Sequence, residues 1–133
     1  MKRRCASHSG VPLPTQAELA ILSILWHLGP STVREVHNAL SSKRTGYTTA
    51  LKQMQVMVEK GLLARSERYR SHVYEGRLPK EQTQRQLAKN LLQRAFDGSA
   101  KSLVLGALSS QEVSSAELAE IRQILDEFEK GSR

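Results

Sequence analysis

Four histidines, one cysteine and 13 acidic residues are what this 133-residue chain offers for bond-making chemistry. Their spacing argues against any. His8, His27, His37 and His72 are scattered over different predicted elements, and none forms an HExxH pair. His27 and His37 read as helix-end or surface residues. Cys5 has no second cysteine for a CxxC site or an internal disulfide, which fits a reducing compartment. It reads as a plain thiol in a polar tail rather than a redox sensor, because nothing around it would depress its pKa. Glu117, Glu120, Asp126, Glu127 and Glu129 crowd one terminal helix, where a solvated face explains them better than a catalytic carboxylate pair. No glycine-rich phosphate loop is present. The expectation is a non-enzyme with no metal and no cofactor.

The basic residues carry a different chemistry. The formal net charge is +7, and its placement is uneven. Residues 1–79 hold 12 Lys+Arg against 5 Asp+Glu, a balance of +7, whereas residues 80–133 hold 8 against 8. That asymmetry predicts a polyanion-binding part joined to a part with another task. The stretch GYTTALKQMQVMVEKGLL, residues 46–63, concentrates the signal. Wound as a helix, it puts Ala50, Met54, Met57 and Val58 on one arc, with Leu51 at its edge. Thr49, Lys52, Gln53, Val56 and Lys60 fall on the opposite arc, and no acid appears before Glu59. Such side chains suit a DNA major groove. Lysine contacts guanine or a phosphate, glutamine pairs with adenine, and threonine hydrogen-bonds or touches the thymine methyl. The hydroxyls of Thr48 and Thr49, at the helix start, suit phosphates. The other account is an ordinary solvated face, but such faces usually mix acids with bases.

The flanking elements have to position that face. Residues 1–12 read as a flexible basic tail. Thr15 with Glu18 and Thr32 with Glu35 are capping boxes opening two helices, the first of them broadly apolar and closed by Gly29-Pro30. Residues 41–46 read as a polar loop before the quoted helix, which Gly61 closes. Residues 62–68 and 72–78 read as two strands joined at Tyr69-Arg70-Ser71, with Arg65, Arg68, Arg70 and His72 near the tip and only Glu67 opposing them. Helix, helix, helix, hairpin is the order of a winged helix-turn-helix, here assigned to residues 13–78. Residues 79–133 read as a helical dimerisation region opened by Pro79. A third capping box, Ser114 with Glu117, starts a last helix with Leu118, Ile121, Leu125 and Phe128 along one seam. Leu91, Leu103, Val104 and Leu105 are expected to support that dimer interface. The predicted class is mostly α with a small β-wing. No apolar run approaches the ~18 residues that span a bilayer, and the start MKRRCASHSGVP lacks the apolar core of a secretory leader. A cytoplasmic protein without membrane insertion is expected.

LPTQAELAILSILWHLGPSTVREVHNAL, YTTALKQMQVMVEKGLL, RSHVYEG and FDGSAKSLVLGALSSQEVSSAELAEIRQILDEF together resemble the penicillinase-repressor family of bacterial winged-helix regulators. The resemblance covers roughly residues 13–130. It implies a homodimer on a palindromic, double-stranded operator, with repression by occupancy. Arg44, Thr48, Thr49, Lys52, Gln53, Val56, Arg68 and Arg70 would contact DNA. In the β-lactam branch, a membrane-bound sensor protease encoded nearby signals cleavage of the repressor. The matching position here is Gly106-Ala107, where the best-known members have Asn-Phe. The copper-responsive branch has a cysteine-rich C-terminal motif, and this chain has no cysteine after Cys5. Val56 stands where the family commonly has an arginine. The alternative to a repressor is a winged-helix protein-interaction module that does not bind DNA.

Overall fold

The structure is a computed structural model, and it describes residues 11–40, 45–68 and 70–131. The element order is α1 (Gln16–Leu28), α2 (Val33–Ala39), α3 (Tyr47–Lys60), β1 (Leu63–Arg68), β2 (Ser71–Gly76), α4 (Lys80–Ala95), α5 (Ala100–Ser109) and α6 (Ser115–Gly131). The fold is mostly α with a small β-wing: a winged helix followed by a helical C-terminal region. Two compact units divide the chain, Met1–Lys89 and Asn90–Arg133, so the division falls inside α4. The sequence reading set its boundary at Pro79 on composition.

Local chemistry explains the first unit's helix starts. Thr15 Oγ1 accepts from the Glu18 N–H at 3.2 Å, and Glu18 Oε1 accepts from the Thr15 N–H at 2.9 Å. Thr32 and Glu35 repeat the arrangement at 3.2 and 2.8 Å. Each box satisfies two N–H groups that helical bonding leaves free. The core is built by Val11, Ile21, Leu22, Leu25, Val33, Val36, Ala50, Met54, Met57, Leu62, Leu63 and Tyr74. Val11 is the surprise, because it lies in the stretch read as tail. A single valine between polar residues carries no periodic signal, yet it packs beside Gly61 at the end of α3.

The wing is a two-stranded antiparallel sheet with Leu63 opposite Gly76 and Arg68 opposite Ser71. Strand β2 stops at Gly76 rather than Leu78. There the Arg77 N–H turns to the Leu62 carbonyl at 3.0 Å, and its Nε donates to the Gly61 carbonyl at 2.7 Å. Ser31 adds a bridge on the other side of β2: its N–H donates to Tyr74 O at 2.9 Å, and the Tyr74 N–H donates to Ser31 O at 2.8 Å. This contact ties the α1–α2 turn to the wing, and no local pattern announces it. Gly76 lets the chain pass close to Trp26, since a Cβ there would lie 3.1 Å from the indole nitrogen. Gly61 caps α3 in the left-handed region at φ 88, where a Cβ is costly.

Lys60 departs from its predicted place on the outward arc. Its Nζ donates to Glu18 Oε2 at 2.6 Å, joining the end of α3 to the start of α1. Burial pushes the Glu18 carboxyl up, but the Lys60 ammonium and the bonds from Thr15 outweigh it and hold the carboxyl below its ordinary value. Glu18 is therefore charged at neutral pH and paired where it is buried.

The second unit is thinner. Ser99 caps α5 by accepting from the Ser102 N–H at 3.1 Å, and Ser114 caps α6 by accepting from Glu117 N–H at 3.1 Å. The α4–α5 connection turns through Asp97 (φ 52) and Gly98 (φ 78). No residue of α5 or α6 is buried.

Candidate nucleic-acid interface

Helix α3 packs Ala50, Met54 and Met57 into the core at 0% exposure, while Leu51 and Val58 flank them half-buried. The inward arc is thus the one its apolar spacing predicts. The outward side is rotated from the predicted arc. Thr48, Thr49, Lys52, Gln55 and Glu59 are exposed, whereas Gln53, Val56 and Lys60 are half-buried. Two contacts account for the rotation. Lys60 is drawn to Glu18, and Gln53 lines a shallow depression with Gln16, Ala17, Ala20, Leu40 and Thr45. The start of α1 therefore shields one flank of α3 and leaves the Thr48–Lys52–Gln55 stripe most open. Gln55 is the residue the sequence reading passed over. A helical wheel shows its position, but only packing shows that its side of the wheel is uncovered. Arg44 lies outside the described residues.

At the start of α3, Gly46 supplies no side-chain cap and the first turn has no acid. Tyr47, also passed over, meets two residues of α2 there. The Arg34 guanidinium sits 5.1 Å from the Tyr47 ring centroid. His37 meets the same ring edge-on at 6.0 Å, and its Nε2 donates to the Thr45 carbonyl at 2.8 Å. Tyrosine, arginine and histidine at these separations have no sequence signature.

The wing sorts its charges by face. Register pairs Arg65 with Tyr74 and Glu67 with His72, so these four share one face. Ser66, Arg68, Val73 and Ser71 share the other. The acid that opposes the tip thus sits with Arg65 and His72, and the face of Arg68 carries none. Arg68 and Arg70 are exposed, and Arg70 turns through φ 67.

A core-packed helix with a cationic, uncapped start beside a basic wing is the arrangement a groove-reading domain needs. The model of the penicillinase repressor family matches residues 14–127. The chain belongs to this family. It is 26% identical over 118 residues to the penicillinase repressor of Bacillus licheniformis, covering 88% of this chain and 92% of that one. Membership in the penicillinase repressor family makes the chain a winged-helix, DNA-binding transcriptional repressor in class rather than an enzyme. Among the described residues no three histidine, cysteine or acidic side chains are grouped to hold a metal, and no helix is long and apolar enough to cross a membrane.

The family match extends through the second unit, where the apolar residues predicted for a dimer interface lie on three helices. Leu91, Val104, Leu105, Leu125 and Phe128 are exposed, and Leu103, Leu118 and Ile121 are half-buried. Phe128 is 73% exposed and Leu105 62%. Ile124, at 50%, belongs with them and was missed because it falls between the seam positions. Gly106 and Ala107 are exposed within α5, and the Phe96 ring lies against Gly106, 3.5 Å from where a Cβ would stand.

Proposed function

We propose that the chain represses transcription as a homodimer on a palindromic operator. In this reading one α3 per subunit enters each of two successive major grooves. Thr48, Thr49, Lys52, Gln53 and Val56 contact DNA from the helix, Arg68 and Arg70 from the wing, and Arg44 from the preceding loop. Gln55 joins them. The observation that carries the reading is the exposed Thr48–Lys52–Gln55 stripe, acid-free over its first turns, on a helix locked into a core. Groove entry requires this combination: a rigid base and a surface that does not repel phosphates.

Dimerisation rests on the second unit. Helices α5 and α6 bury nothing yet expose leucines, isoleucine and phenylalanine in number. An apolar surface of that kind marks an interaction site. A second copy supplies the matching surface by two-fold symmetry. Release from DNA by cleavage at Gly106-Ala107, signalled by a membrane sensor protease, is the finer part of the proposal. Exposure of both residues supports it, although the bond lies in an intact helix. The cytoplasm is the proposed location. Footprinting on the promoter of the chain's own gene tests the reading. Protection of two half-sites about one helical turn apart is expected, and an unprotected promoter would count against it.

A further inference from the structure

The cluster of Arg34, His37 and Tyr47 has no part in the core, yet it is ordered by three separate contacts. Arg34 and His37 stand three residues apart on α2, so both side chains reach the same side. Tyr47 receives both: the guanidinium at 5.1 Å from its centroid and the imidazole edge-on at 6.0 Å. The bond from His37 Nε2 to Thr45 O then anchors the backbone two residues ahead of the ring. Among the described residues no acid pairs with Arg34. An exposed arginine normally samples many rotamers, and stacking holds this one while leaving its in-plane N–H donors available. Tyr47 is the residue immediately before Thr48 and Thr49, so the held cation lies at the entrance of the groove-facing helix.

We propose that Arg34 is a DNA phosphate contact contributed by α2, and that Tyr47 is the positioning residue that holds its guanidinium ready. A planar guanidinium fixed on a ring matches two phosphate oxygens at once, which a freely rotating lysine does not. The proposal rests on the operator-binding reading above and extends it from α3 and the wing to α2.

The test measures affinity of the full-length protein for a duplex spanning its own promoter, across a range of salt concentrations. Arg34→Gln is expected to weaken binding and make the log–log salt slope shallower by about 0.9, the signature of one lost phosphate contact. Tyr47→Leu should weaken binding without removing a charge, and Tyr47→Phe, which keeps the ring, should recover most of that loss. An Arg34→Gln slope equal to the parent's, in a protein that still binds, would overturn the assignment while leaving operator binding intact. Equal losses for Tyr47→Leu and Tyr47→Phe would overturn the positioning role. A parent protein with no salt-dependent affinity for the duplex would overturn both this proposal and the reading beneath it.

Discussion

At the residue scale, position on α3 decides what each side chain does. Lys52 sits in the middle of the exposed stripe and has no ion-pair partner among the described residues. Lys60, two turns on, is spent on Glu18. Lys52→Ala is accordingly expected to cost about 1–3 kcal/mol of operator affinity if it reads a base, and an unchanged dissociation constant would remove it from the interface. Val56 is half-buried at the edge of the stripe, where apolar contact with a thymine methyl suits it. Val56→Arg should change which operator variants are preferred in a competition assay; a uniform change across variants would show that the valine does not read sequence. Glu18 makes a stability prediction instead. Its carboxyl is held below the ordinary value of 4.5 in the folded chain. A depressed folded value means the unfolded chain takes up the proton first as pH falls. The pair's contribution is therefore complete above about 4.5 and is lost as pH drops through the lower folded value. Denaturant titrations should show that loss, and Glu18→Gln should flatten it. An identical acid profile in the variant would place the pH dependence elsewhere.

At the scale of elements, the wing shows how pairing converts a basic stretch into a surface. Arg65, Arg68, Arg70 and His72 look equivalent in sequence. The strand alternation places Glu67 with Arg65 and His72 and leaves Arg68 on the acid-free face. Arg68→Ala should lower affinity on every duplex and shallow the salt slope by about 0.9, whereas Arg65→Ala should do less. Equal effects would mean that both faces of the hairpin approach DNA. The helix starts were readable because a capping box is a four-residue chemistry, and Thr15–Glu18 and Thr32–Glu35 form as their spacing predicts. The bridge from Ser31 to Tyr74 and the Arg77–Gly61 bond were not readable. Each joins residues too far apart in sequence for any local pattern to register.

At the scale of the whole molecule, charge and apolar surface divide the work. The basic excess lies entirely in residues 1–79, and the unburied apolar helices lie in the second unit. A monomer would leave Leu105, Ile124, Leu125 and Phe128 in water. Leu125→Asp is expected to convert dimer to monomer in sedimentation experiments and to weaken operator binding, since two linked half-site contacts become one. A variant that still sediments as a dimer would rule out α6 as the interface.

By itself the sequence determined the fold class, the order of the helices and wing, the buried arc of α3 and the family, because each rests on local periodicity, capping chemistry or extended motif similarity. Tertiary structure decided which flank of α3 stays open, that Lys60 pairs inward, that Val11 joins the core, and that Arg34 stacks on Tyr47. The physical reason is the same in each case. Burial and pairing depend on which distant segment arrives alongside, and the spacing of residues along one helix carries no record of its neighbours.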